Sequence, residues 1–243
     1  MDGEATGDVR GLGHIGIAAV SPEGAALAYR EIYRAAARLY PDLDPPRVTV
    51  HNEPLSVYIR AVRSEDWERV ASLLGRSAEV LSQAGADVVV TPDNAVQHAV
   101  RIVEHGSGTP WLAVTDLVAE AVVADGRGTV GVLGTRWVTQ GSAYQTAMGL
   151  RGVKVQAPEG ADVETLERVI FDELIHGVVT AESRAALAGI VSRMAAAGAE
   201  GLVIALSEAP LVLDLAQVEL PVYDGVAILA EGAVRRVARA DDC

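Results

Sequence analysis

Gly85-Ala86-Asp87-Val88-Val89-Val90 and Gly198-Ala199-Glu200-Gly201-Leu202-Val203 are two versions of one segment. In each, a Gly-Ala pair and an acid lead into a run of aliphatic residues, and an amphipathic stretch of helical period precedes the glycine. A short apolar run bounded by turn residues reads as a buried strand. The two segments lie roughly 110 residues apart, a spacing that predicts two related halves.

Outward from this pair, β-branched runs alternate with Ala/Leu/Arg/Glu-rich stretches. Strands are predicted near 14–20, 47–51, 88–91, 111–113, 129–134, 154–156, 201–205 and 221–223. Helices are predicted over 22–39, with Ala26, Tyr29, Ile32 and Tyr33 at helical spacing, and over 64–84, with Val70, Leu73, Leu74 and Leu81 and with Ser64 as N-cap. A third, over 181–197, carries Leu187, Ile190, Val191 and Met194 and stops at Gly198, a residue suited to the left-handed turn after a helix. Strand–helix alternation argues for parallel sheets covered by helices. Residues 1–115, completed by 216–243, are expected to form one α/β half, and 116–215 the other, with 116–128 as the crossover. The final strand and 232–240 are expected to return to the first half. Ligands of open parallel sheets bind at the carboxyl ends of the strands. The loops at 51–60, 91–98, 135–144 and 206–210 should therefore surround one cleft.

The chain's 243 residues suffice for a sizeable core, and half of them are hydrophobic. No apolar run approaches the roughly 20 residues of a membrane helix, and the polar, acidic opening predicts no secretory signal. The net charge of -13, from 33 acidic and 20 basic residues, disfavours nucleic acid and anionic membranes as partners. It leaves open a small anionic substrate, which responds to a local pocket. The single cysteine, Cys243, allows no intrachain disulfide and no thiolate metal cluster, in keeping with an expected cytoplasmic location. His14, His51 and His105 are not at metal-ligand spacings, so no metal site is predicted. Gly11-Leu-Gly-His-Ile-Gly matches a dinucleotide string, but its glycines precede the predicted strand instead of following it. No Gly-Lys-Ser/Thr phosphate loop is present, and no cofactor is expected.

Five segments, in order, resemble the aspartate/glutamate racemase superfamily. His14-Ile-Gly-Ile-Ala-Ala-Val-Ser-Pro-Glu-Gly resembles its opening IGILGGMGPEA, and Thr91-Pro-Asp-Asn-Ala-Val-Gln-His its first catalytic loop, CNTAH. Gly134-Thr-Arg-Trp-Val-Thr-Gln-Gly-Ser-Ala-Tyr-Gln resembles ATRGTLESGFYQ, and Phe171-Asp-Glu-Leu-Ile-His-Gly resembles YEELVKG. Ala205-Leu-Ser-Glu-Ala-Pro-Leu resembles the second catalytic loop, GCTELPL. The resemblance implies an α/β fold of two pseudo-symmetric, Rossmann-like parallel-sheet halves with a cleft between them. It also implies a cofactor-independent reaction in which two cysteines, one on each face of a substrate carbon, remove and return a proton. A homodimer is expected.

The departures bear on function. Asn94 aligns with the first-loop asparagine, which puts that loop's cysteine at Asp93, or at Thr91 if the loop is shifted. The second cysteine falls on Leu206, which cannot carry a proton. The family's first-loop histidine falls on Gln97, with His98 one position later, and its lysine after Glu-Leu falls on His176. Asp224-Gly-Val-Ala-Ile-Leu-Ala resembles a DTTxIHA segment with Leu229 in place of histidine.

Each candidate has a functional and a structural reading. Asp93 is a lone carboxylate base or acid, or the cap of the helix that follows it; Asn94 holds a substrate carboxylate or also caps. Thr135, Thr139 and Ser142 suit carboxylate binding at a helix start, or are turn polarity. Ser207 and Glu208 open a matching loop, where Glu208 orients an amine, acts as base, or is a helix-start carboxylate. His176 supplies a second proton-transfer group, or is a histidine placed by a helix C-terminus. Asn52 and Arg60 hold a distal carboxylate, or are solvated surface groups. The expected function is a cofactor-independent enzyme acting by proton transfer at carbon on a small carboxylate-bearing metabolite. One-sided chemistry such as isomerisation, decarboxylation or elimination is favoured over two-thiol racemisation. The alternative is a non-catalytic binder of an acidic metabolite or partner protein.

Overall fold

The computed structural model describes residues 11–206, 209–214 and 218–238. In the first half, β1 (His14–Ala19), α1 (Pro22–Leu39), β2 (Arg47–Asn52), α2 (Leu55–Arg63), α3 (Trp67–Gln83), β3 (Val88–Val90), α4 (Gln97–Glu104), β4 (Trp111–Leu112) and α5 (Val114–Ala124) follow one another. Then come β5 (Thr129–Leu133), α6 (Arg136–Thr139), α7 (Ser142–Gly149), β6 (Lys154–Gln156), α8 (Ala161–Arg168), α9 (Ala181–Ala196), β7 (Gly201–Ile204), α10 (Ala209–Val212), β8 (Val222–Asp224) and α11 (Gly225–Ala238).

The strands form two four-stranded parallel sheets, ordered β2-β1-β3-β4 and β6-β5-β7-β8. Advancing every label of the first sheet by four gives the second, so the internal repeat is a repeat of topology. β1, β3 and β7 are buried along their whole length, as expected of strands covered by helices on both faces.

The two repeat segments do the same work in each half. Gly85 ends the turn after α3 at φ +85°, and Gly198 the turn after α9 at φ +97°, a left-handed conformation that glycine adopts without steric cost. The acid two residues on then ties its strand to the sheet's first strand. Asp87 Oδ2 accepts from the His14 N–H at 2.7 Å, and Glu200 Oε2 accepts from the Gly128 N–H at 2.6 Å.

Two expectations are corrected. The helix predicted over 64–84 is present as α3 but starts later: Ser64 is the C-cap of α2, a helix formed where a loop over 51–60 was expected, and Asp66 is the N-cap of α3, accepting from the Arg69 N–H at 3.0 Å. The final strand stays in the second sheet, with Val203 paired to Tyr223, and only α11 crosses back to pack along α1. One apolar cluster runs from β1 and α1 through α5 and α11 to β5 and β7, so the two sheets share a core.

Candidate active site

The carboxyl ends of β1, β3, β5 and β7 converge on a cavity of about 140 Å³. Val20 and Ser21 reach it from β1, Asp93 to Val96 from β3, Thr135 from β5, and Ala205 and Leu206 from β7. Asp93 and Leu206, the two positions where the resemblance puts the family's thiols, line this one cavity.

Asp93 does not cap its own turn. Its carboxylate reaches across to the β1–α1 loop, accepting from the Val20 N–H at 3.2 Å and the Ser21 N–H at 3.2 Å. Ser21 is itself the N-cap of α1, its hydroxyl accepting from the Gly24 N–H at 3.1 Å. An ionised carboxylate is acceptor-only, which matches two N–H donors. Behind it, Gln97 Nε2 donates to the carbonyls of Thr91 and Asp93 and holds the loop in place.

Asn94 lines the cavity, but its side chain is bonded internally. Its Oδ1 accepts from the Tyr144 hydroxyl at 2.7 Å, and its Nδ2 donates to the Pro92 carbonyl at 3.3 Å. Burial and the neighbouring Asp224 carboxylate raise the Tyr144 phenol far above its ordinary range, so it stays a donor. Burial also raises the Asp224 carboxyl, although the Val226 and Ala227 N–H groups at the start of α11 partly offset that.

Thr135 lines the cavity, and its Oγ1 is buried without a hydrogen-bond partner among the described residues. A buried hydroxyl in that condition costs free energy unless a ligand or water completes it. Thr91 Oγ1 is likewise buried and unpartnered among the described residues, but Thr91 does not line the cavity. Thr139 is a structural residue: it is buried, donates to the Thr135 carbonyl at 3.2 Å and does not line the cavity. Ser142 is exposed in a neighbouring depression, 3.5 Å from His98 Nδ1.

His176 is exposed at the end of a short 3₁₀ turn, outside the cavity wall. The π-helical turn before it, Val169–Glu173, supplies Ile170 and Phe171 instead. Asn52 opens onto a separate groove beside α1, and Arg60, on α2, does not line the cavity. Ser207 and Glu208 lie outside the described residues.

Five of the lining residues that the sequence reading missed come from α2. Leu55, Tyr58, Ile59, Val62 and Arg63 line the cavity at helical spacing. That spacing is the available signal, although the loop expected over 51–60 covers Leu55, Tyr58 and Ile59. The Tyr58 hydroxyl is buried beside Ser77 without a well-formed hydrogen bond, and burial holds its phenol far above the ordinary range. The Arg63 guanidinium lies 5.7 Å from the Phe171 ring centroid, and Phe171 meets Trp137 edge-on at 5.8 Å. Arg63, Phe171 and Trp137 thus bridge the two halves along the cavity rim. Apart from this ring contact, Arg63 has no ion-pair or hydrogen-bond partner among the described residues. The charged lining residues are Glu23, Arg63 and Asp93; most of the remaining wall is carbon. Among the described residues, no group of three metal-ligating side chains clusters and no helix is long and apolar enough to cross a membrane.

Comparison with known proteins agrees with this architecture. The model of the Asp/Glu/hydantoin racemase family matches residues 17–233. A provisionally assigned Asp/Glu racemase from Yersinia pestis is 25% identical, with a TM-score of 0.84 over 93% of this chain and 99% of that one. An aspartate racemase homologue from Pyrococcus horikoshii OT3 is 22% identical, with a TM-score of 0.79 over 93% of this chain and 98% of that one. A cysteine variant of arylmalonate decarboxylase, in its sulfate-associated form, shares the fold at 18% identity, with a TM-score of 0.53 over 93% of each chain.

Proposed function

Because this chain belongs to the Asp/Glu/hydantoin racemase family, we propose that it is an enzyme moving a proton at the carbon beside a carboxylate of a small metabolite, on one face only. The observation that carries the proposal is the pairing of Asp93 with Leu206 in one cavity. A racemase needs a proton carrier on each face of the carbon, and here one position carries a carboxylate and the other a hydrocarbon.

In this reading Asp93 exchanges a proton with the substrate carbon. Removal of that proton leaves its electron pair delocalised onto the substrate carboxylate as an enediolate. The unpartnered Thr135 hydroxyl donates to one of the oxygens where that charge gathers. One-sided chemistry also suits decarboxylation, the reaction named for one of the proteins that share this fold. There the bond to the departing carboxylate breaks, its electron pair stays on carbon, CO2 leaves, and the acid form of Asp93 delivers a proton that solvent replaces. His176 has no part in either route, because it lies outside the cavity.

The engagement of Asp93 by two backbone N–H groups favours a second reading, a non-catalytic binder in which Asp93 only shapes the cavity. One measurement separates the two. Candidate carboxylates are incubated with the protein in D2O, and deuterium at the α-carbon is followed by mass spectrometry. Enzyme-dependent exchange or CO2 release, lost in Asp93→Asn, is expected. Binding of those carboxylates with neither exchange nor CO2 release would leave the binder.

A further inference from the structure

Within the proton-exchange route of that proposed function, we infer that the ligand is a monocarboxylate with an aromatic or bulky branched body, and not an acidic amino acid. Leu55, Ile59, Val62, Phe171 and Leu206 present carbon to the cavity, and both halves contribute to it. The volume of about 140 Å³ is close to the roughly 150 Å³ of an apolar cavity that accepts benzene. Burial against such a wall favours a ligand in proportion to the apolar area it removes from water.

Charge in the cavity points the same way. Among the described residues Arg63 is its only lining cation, at the rim, and no carboxylate among them pairs with it. It can therefore take one substrate carboxylate from the solvent side, while the Thr135 hydroxyl offers a hydrogen bond from the β5 side. A second carboxylate, as in aspartate or glutamate, would find no second cation among the described lining residues. It would lie among hydrocarbon side chains, with Asp93 and Glu23 repelling it. The leucine at 206 adds to this selection, since it places a branched hydrocarbon where an acidic ligand would want a donor.

The test is calorimetric titration of the full chain with phenylacetate, succinate and L-aspartate, alongside Arg63→Met, which keeps an apolar stem and removes the charge. Phenylacetate is expected to bind at least about tenfold more tightly than either dicarboxylate, and Arg63→Met to weaken phenylacetate by about tenfold or more. Succinate or aspartate binding as tightly as phenylacetate would overturn the inference, as would undetectable phenylacetate binding or an Arg63→Met protein that binds it undiminished. The D2O experiment keeps the two proposals apart. Phenylacetate that binds without α-deuteration or other turnover sinks the reaction and leaves the ligand class. Deuterium entering aspartate while phenylacetate is ignored does the reverse.

Discussion

The Asp93 carboxylate accepts a hydrogen bond from the backbone N–H of Ser21, the residue that caps α1, across 72 positions of sequence. Asp93 therefore joins β3 to the start of α1 while facing the cavity, and its substitution should register in both stability and function.

Asp93→Asn keeps one oxygen for the Val20 and Ser21 N–H groups but loses the charge assistance. A cost of about 1 kcal/mol is expected, which lowers the melting temperature by roughly 2–4 °C in a chain of this size. If Asp93 transfers the proton, turnover should fall by about 100- to 10,000-fold in the same variant. Melting temperature and turnover measured side by side check both. A lower melting temperature with turnover intact would make the residue purely structural.

Thr135→Val should separate stability from function in the other direction. The hydroxyl has no partner among the described residues, so its removal in a nearly isosteric side chain should leave stability unchanged or raise it by up to about 1 kcal/mol. Ligand affinity should fall about tenfold if that hydroxyl binds the carboxylate. Chemical denaturation beside calorimetry would reveal an unexpected structural role as a drop in stability.

Neither enantiomer of aspartate or glutamate should racemise, because the positions of the two thiols hold Asp93 and Leu206. Circular dichroism of each amino acid over hours with the wild-type protein is the check. Rapid loss of signal that survives Cys243→Ser would contradict the assignment of those two positions.

Alkaline pH should destabilise the fold through Tyr58 and Tyr144. Burial raises both phenols in the folded chain relative to the unfolded one. The native state then holds protons that the unfolded state releases, so this contribution is complete below the unfolded value of about 10 and is lost as pH rises above it. Ultraviolet absorbance of phenolate should show these two tyrosines ionising late, together with unfolding. Ionisation of all tyrosines near pH 10 in a still-folded protein would contradict the burial argument.

Much of the fold was legible in the residues alone. Buried parallel strands are short aliphatic runs because both faces are covered, so all eight strands stand out between glycines and polar turns. The repeated Gly-Ala-acid-strand segment marks the two halves because the same backbone problem, leaving a helix and joining a sheet, is solved twice with the same residue types. The absence of thiols from both loops that resemble the family's catalytic loops is likewise a fact of sequence. What the tertiary structure decided was which side chains meet. α2 is only nine residues long and is marginal as an isolated helix. Packing of Tyr58, Ala61 and Val62 into the core holds it in place and sets Arg63 in the cavity lining, while Arg60, three residues earlier, is not part of that lining. The π-helical turn after α8 does the same for Phe171 and leaves His176 outside. Asp93 looked like the cap of its own helix because local sequence shows only local partners. The Val20 and Ser21 N–H groups that it accepts from lie in the β1–α1 loop, which the pairing of β1 with β3 brings within hydrogen-bond reach.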